Sequence, residues 1–252
     1  MCWFRAKIIV DIGCGSGNVT GLLASTIPHD RLISFDIDPG MVAFASAQNK
    51  DTSIEFFIQD FGQPWEKLNP ILQSLEGQVD LIWSNRVLHW VRDEDRPNAA
   101  STIARLLTPN GRFYANTTLM PDVSEFLDPA VKAENEKIMK IMSRQDQEAN
   151  WRTMFTDVGL TLESFEVFTK VWTYDDESAQ DAERNCFVHL RRWLPDVMSN
   201  EEKDALLIKM GYQDLWVRSI YTPVGEPPVE SLEGLLNCYY NQFRIVAVKP
   251  GN

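Results

Sequence analysis

Apolar positions in the first 120 residues fall into short runs separated by helix-length stretches. Ile8-Ile9-Val10-Asp11-Ile12 reads as a first strand, and Asn18–Ile27 behind it as a helix. Ile33-Ser34-Phe35-Asp36-Ile37 reads as a second strand. Asp38 is a good N-cap, Pro39 suits the first helical position, and that helix should run to about Gln48. Ile54–Ile58 is expected as a third strand, ending at Gln59-Asp60-Phe61, with a helix over Trp65–Leu75. Val79–Ser84 is a fourth strand ending at Asn85. Asn98–Leu107 is expected as a helix stopped by Pro109-Asn110-Gly111, and Arg112–Thr118 as a fifth strand. Strands joined by helices of this length make right-handed crossovers and a parallel sheet.

After Met120 the pattern changes. Asp128–Ile141 and Asn150–Asp157 look helical, and Thr161–Tyr174 alternates as an edge strand would. Ser178–Leu194 and Ser199–Met210 are amphipathic, and Ser199 with Glu202 forms a capping box. Gln242–Val248 reads as a last strand. Residues 175–235 then become a helical insertion between the two final strands, with a loop at Gly225-Glu226-Pro227-Pro228.

Composition narrows the classes. A chain of 252 residues with 44% hydrophobic and 24% charged positions is ordinary for a globular α/β domain. Its formal charge of −12 disfavours wrapping a nucleic acid, which needs a basic face, and no Lys/Arg-rich run is present. Cys2, Cys14, Cys186 and Cys238 have no C-x-x-C spacing, so no metal site is expected and a reducing, cytoplasmic setting is the simple reading. No apolar stretch approaches the ~20 residues of a membrane span, and Ile8–Ile12 is too short for a secretory leader. The sequence carries no signal of oligomeric state.

The chemistry concentrates where strand one stops. Gly13, Gly15 and Gly17 are spaced two apart between a strand and a helix, where glycine lets the backbone turn sharply and approach a ligand. A dinucleotide fingerprint needs G-x-G-x-x-G, and its sixth position here is Asn18, so a nicotinamide oxidoreductase is disfavoured. The pattern that stands, Asp11-x-Gly13-x-Gly15-x-Gly17, resembles the first motif of class I S-adenosylmethionine (SAM) methyltransferases. In an open parallel sheet a ligand lies beyond the carboxyl ends of the strands. Asp36, 19 residues after Gly17, is placed to accept the ribose hydroxyls. Ile37 is placed to pack on the adenine, Asp60 to accept the adenine amine with Phe61 beside the ring, and Asn85 to hold the amino-acid end or line the transfer site. Each also has a plain role: Asp36 as a cap partner, Ile37 as core, Asp60 as a loop carboxylate, Asn85 as a turn residue. His89 is placed to deprotonate an acceptor hydroxyl or to orient a carboxylate, and Trp90 to face an apolar substrate or the sulfonium.

These motifs, with Ser84-Asn85-Arg86-Val87-Leu88-His89-Trp90-Val91, stand in the order and spacing of small-molecule class I methyltransferases. Leu88-His89-Trp90-Val91 is similar to the corresponding segment of arthropod juvenile hormone acid O-methyltransferases, and bacterial trans-aconitate methyltransferases have a comparable Trp-Val. Trp151-Arg152-Thr153-Met154-Phe155 and the insertion also fit that group. The resemblance implies one α/β domain over residues 1–252, Rossmann-like and doubly wound. It implies a mostly parallel seven-stranded sheet with a C-terminal antiparallel strand, a SAM-binding core over about 1–120 and a helical substrate cap. It implies SAM as cofactor and methyl transfer to the carboxylate of a small lipophilic acid. A carboxylate is already ionised at neutral pH, so no strong base is needed; the enzyme must align the reacting atoms and exclude water, and such positioning can supply ~7–11 kcal/mol. Trp151, Phe155, Trp172, Phe187, Trp193, Tyr212, Trp216 and Tyr221 are singly ordinary core residues and together candidates for an apolar chamber. Members of the group usually carry some tens of residues before strand one, where this sequence has Met1–Lys7. Either this is a short form or the insertion supplies a substitute lid. The alternatives left open are a non-catalytic SAM-binding protein lacking that lid, and an N- or hydroxyl-methylating enzyme on the same scaffold.

Overall fold

A computed structural model describes residues 5–50, 52–119, 129, 130, 133, 144–173, 191, 194, 197–209, 211, 215, 218–223, 226–230 and 237–251. Seven strands form one sheet in the order β3-β2-β1-β4-β5-β7-β6. They are β1 (Ile8–Ile12), β2 (Arg31–Asp36), β3 (Glu55–Ile58), β4 (Val79–Asn85), β5 (Leu107–Thr118), β6 (Thr161–Thr173) and β7 (Asn237–Val248). The first five pair in parallel. β7 runs against β5: the Asn110 N–H donates to the Lys249 carbonyl and the Lys249 N–H to the Gly111 carbonyl. The expected α/β sheet with an antiparallel final strand is the one observed.

The chain divides into two compact units, residues 1–118 with 150–166 and 243–252, and residues 119–149 with 167–242. In the first, β1 is buried from Ile9 to Ile12 and β2 from Leu32 to Phe35, as central strands covered on both faces must be. Helices α1 (Asn18–Thr26), α2 (Pro39–Gln48), α3 (Pro70–Gln73) and α4 (Arg96–Leu106) make the crossovers. Asp38 caps α2, its Oδ1 accepting from the Gly40 and Met41 amides at 2.7 and 3.3 Å. Helix α5 (Arg144–Asp157) begins six residues before the expected Asn150. It buries Trp151 and Phe155 against the sheet. Their ring centroids lie 5.3 Å (Phe155 to Phe113) and 5.4 Å (Trp151 to Phe243) from those of their partners. These two aromatics are core, so they leave the list of chamber candidates.

Two expectations fail for local reasons. Trp65–Leu75 is not one helix: a 3-10 turn at Trp65–Lys67 is followed by α3. Pro70 lacks the amide an uninterrupted helix would need, and Asn69 instead caps a new turn through the Ile71 amide at 2.9 Å. Pro109-Asn110-Gly111 does not end the element before β5 but lies inside β5. Leu107 pairs with Val79 and Arg112 with Leu81, so two steps along β4 face five along β5. The extra residues form a bulge, with Asn110 at φ 65°.

In the second unit, α6 (Asn200–Lys209) carries the expected capping box. The Ser199 amide donates to the Glu202 carboxylate at 2.7 Å and the Glu202 amide to the Ser199 hydroxyl at 3.2 Å. Arg191 grips Asp204 with two bonds of 2.6 and 2.5 Å. Tyr221 is buried. Most of the expected helices Asp128–Ile141 and Ser178–Leu194, and most of segment 175–235, lie outside the described residues, as do Phe187, Trp193, Tyr212, Trp216 and the Trp172 side chain. Among the described residues no helix is long and apolar enough to cross a membrane.

Phe155 sits at the junction of α5 and the sheet. Phe155→Ala should lower unfolding free energy by about 3–5 kcal/mol, seen in urea as a lower midpoint at unchanged slope.

Candidate active site

The sheet order reverses between β1 and β4, and the chemistry-bearing residues of the first unit gather at the carboxyl ends of the strands on either side. The turn after β1 is tied to the end of β2 by three successive amides. The Gly13 and Cys14 N–H groups donate to the Phe35 carbonyl at 2.8 and 2.9 Å, and the Gly15 N–H donates to Asp36 Oδ2 at 2.9 Å. Gly13, Gly15 and Gly17 all have positive φ, 79°, 49° and 81°. A Cβ on Gly13 would meet Val87 Cγ2 at 2.2 Å, and one on Gly17 would meet Ala45 Cβ at 2.9 Å. At Gly15 nothing among the described residues lies within 4 Å. Two glycines thus let protein pack on the turn, and the middle one faces open space.

Asp36 Oδ1 also accepts from the Asp38 amide at 3.1 Å, so the carboxylate is held at both oxygens and each keeps a further lone pair. Beside it Ile37 is 63% exposed, an unusual position for a large aliphatic side chain. Asp60 Oδ1 accepts from the Gly62 amide at 2.9 Å. Phe61 is buried, its ring centroid 5.6 Å from that of Phe35. Asp11 turns inward: 2% exposed, its Oδ2 accepts from the Thr20 hydroxyl at 2.6 Å and the Ser34 hydroxyl at 2.8 Å. Asn85 Oδ1 accepts from Asn116 Nδ2 at 3.5 Å across β4 and β5. The next residue, Arg86, takes φ 60°, and its amide donates to the Asn116 carbonyl at 2.6 Å.

A 3-10 turn over Leu88–Trp90 follows. His89 is 6% exposed, with its Nδ1 2.9 Å from Thr117 Oγ1. Trp90 is 39% exposed, its ring 5.3 Å from the imidazole. Behind the turn, buried Arg96 donates to the Val91 carbonyl at 3.2 Å, pairs with Asp93 at 2.5 Å and stacks 4.7 Å over Trp151. Burial pushes its pKa down and Asp93 pulls it back. Sequence reasoning missed Thr117, Asn116, Thr20 and Ser34, because small polar residues within strands and helices leave no mark on the hydrophobic pattern. Among the described residues the Ser84 hydroxyl and Asn116 Oδ1 are buried without a hydrogen bond, so polar capacity at this end of β4 and β5 stays unspent there. The open space at Gly15, the carboxylate of Asp36 and the exposed Ile37 fit a nucleoside: an open backbone edge, a diol acceptor and an apolar face.

The comparisons agree with this geometry. Residues 9–111 match the family described as a methyltransferase domain. A malonyl-[acyl-carrier protein] O-methyltransferase of Hahella chejuensis is 31% identical over 46% of this chain and 38% of its own length. Its namesake in Methylovorus sp. is 28% identical over 68% and 55%. A trans-aconitate 2-methyltransferase of Methylobacterium nodulans is 35% identical over 41% and 35%. The chain therefore spans about half or less of the length of these relatives. Among solved structures, a candidate methyltransferase from Bacillus halodurans superposes with a TM-score of 0.60 at 15% identity, covering 99% of this chain and 95% of that one. An S-adenosylmethionine-dependent methyltransferase from Mesorhizobium loti does so with a TM-score of 0.50 at 15% identity, covering 98% and 92%. Residues 9–111 are thus similar to a methyltransferase domain, and the fold is that of these solved structures.

Burial raises the Asp11 pKa above its ordinary 3.8, with Thr20 and Ser34 pulling it back and the Asp36 charge adding to the rise. Burial, with Asp36 and Asp11 adding, pushes the Cys14 thiol up to about 12. A carboxyl whose folded pKa is raised adds stability at low pH that is lost as pH rises through the folded value. The stability difference between wild type and Asp11→Asn, followed by urea unfolding, should shift against wild type as pH rises from about 4 to 8. A difference that moves toward wild type with pH would contradict the inward-facing carboxyl.

Proposed function

We propose that this chain is a SAM-dependent O-methyltransferase that esterifies the carboxylate of a small lipophilic acid, of the farnesoic or juvenile hormone acid kind. The observation that carries the reading is the turn after β1, with Gly15 open and Asp36 fixed beside an exposed Ile37. In this reading Asp36 accepts the ribose hydroxyls, Ile37 covers the adenine and Asp60 takes the adenine amine. Phe61 backs that pocket through Phe35. Asp11 holds the turn through Thr20 and Ser34. Asn85 serves the amino-acid end. His89 and Trp90 line the acceptor side, Trp90 with an exposed aromatic face. When bound, SAM supplies an electrophilic methyl group: a carboxylate oxygen–carbon bond forms as the carbon–sulfur bond breaks, with its electron pair left on a neutral thioether. The chain's own task is to hold the acid in line and keep water out.

Carboxyl acceptors are supported by the relatives' names, since malonyl and trans-aconitate groups both carry carboxylates. The lipophilic class rests on the resemblance of Leu88-His89-Trp90-Val91 to the hormone-acid group. The test is methyl-labelled SAM incubated with farnesoic-type isoprenoids, straight-chain fatty acids and small tricarboxylates. Label should move into an extractable ester, best with the isoprenoid acids. Transfer to tricarboxylates alone would replace the lipophilic class, and transfer to no acid would refute the reading. Asp36→Ala should weaken SAM binding by about tenfold or more in calorimetry, as expected for losing hydrogen bonds to a charged acceptor.

A further inference from the structure

Two asparagines stand side by side on neighbouring strands. Asn85 closes β4, Asn116 lies near the end of β5, and the two are partners in the parallel register. Asn116 Nδ2 donates to Asn85 Oδ1 at 3.5 Å, and the Asn116 carbonyl accepts from the Arg86 amide at 2.6 Å. Backbone and side chain are thereby held, yet Asn116 Oδ1 is buried with no hydrogen-bond partner among the described residues. Buried acceptors seldom stay empty, so this oxygen is poised for a donor from outside the chain.

Its place in the sheet says which donor. Side chains alternate between the two faces of a strand. Trp83 and Tyr114 are register partners whose ring centroids lie 6.1 Å apart, and Asn85 and Asn116, two residues on, lie on the same face. Asp11 pairs with Trp83 and is bonded to Thr20 of α1, so this is the face on which α1 begins. Thr117, the next residue of β5, holds the His89 turn from the opposite face. The asparagine pair therefore belongs with the glycine turn and not with the acceptor side. Along the sheet, Asp36 ends β2 on one side of β1, and the pair ends β4 and β5 on the other. A nucleoside with its ribose at Asp36 would extend its amino-acid chain across β1 toward the pair. The donor on that chain is an ammonium, and a bond from a cation to an amide oxygen is stronger than one between neutral groups.

We propose that Asn116 is a cofactor-binding residue whose Oδ1 accepts from the ammonium of S-adenosylmethionine, beside Asn85. The inference rests on the methyltransferase reading and adds a contact from β5 to it.

Calorimetry with two ligands reads this contact without turnover. S-adenosylhomocysteine keeps the ammonium. Methylthioadenosine has the same nucleoside and thioether and no amino-acid end. Asn116→Ala should weaken S-adenosylhomocysteine binding about tenfold or more, the size expected for a lost hydrogen bond to a charged group, and leave methylthioadenosine within about twofold. Asn116→Asp keeps an acceptor and adds a charge that attracts the ammonium, so it should bind S-adenosylhomocysteine at least as tightly as wild type. Equal losses for both ligands, or no loss for either, would overturn the proposal. So would a larger loss in Asn116→Asp than in Asn116→Ala, the result expected of a side chain turned to donate to a carboxylate. Wild type that binds neither ligand would sink the methyltransferase reading and this contact with it. Wild type that binds S-adenosylhomocysteine no better than Asn116→Ala does would sink the contact alone.

Discussion

Everything at this site depends on how the turn after β1 is fastened to the end of β2. A sharp turn exposes backbone donors, and buried donors must find partners. Here the amides of Gly13, Cys14 and Gly15 all turn to Phe35 and Asp36. The fastening has two effects. It satisfies the turn from within the fold, and with the Asp38 amide it clamps Asp36 so that a ligand meeting it would cost little further side-chain freedom. The parallel register of β1 on β2, Ile12 beside Phe35, sets the distance over which this works. A slip of one residue would bring Ser34 or Asp36 opposite the turn and turn every side chain of the strand to the wrong face.

The same logic recurs on the other side of the switch point. The segment after β4 forms a short 3-10 turn, and single contacts hold it. Thr117 takes the turn at His89, Asn116 takes the amide of the strained Arg86, and Arg96 braces Val91 against Trp151. The strain at Arg86 is local, and the carbonyl it meets belongs to a strand rigidly paired with β4. Loops carry the chemistry here because neighbouring strands supply the rigidity.

Much of this was legible in the sequence where local chemistry decides structure. Asp38 before Pro39 and Ser199 before Glu202 are signals whose partners lie within a few residues, and the structure follows them. Legibility ended where the partner is far along the chain. Pro109-Asn110-Gly111 reads as a break, and only pairing with Val79 and Leu81 makes it a bulge within a strand. Asp11 reads as part of a ligand motif, and its two hydroxyl partners stand on α1 and β2. Thr117 looks like any alternating strand residue. Its importance comes from a turn 28 residues away.

Cys14 gives the turn a further property. It lies between two glycines of the loop that, in the proposed function, faces a methyl donor, where a thiolate would be a strong nucleophile. Packed inside and surrounded by the charges of Asp36 and Asp11, its sulfur keeps its proton far above physiological pH. In the proposed enzyme, the burial that seats the loop would therefore also guard the protein against alkylating itself.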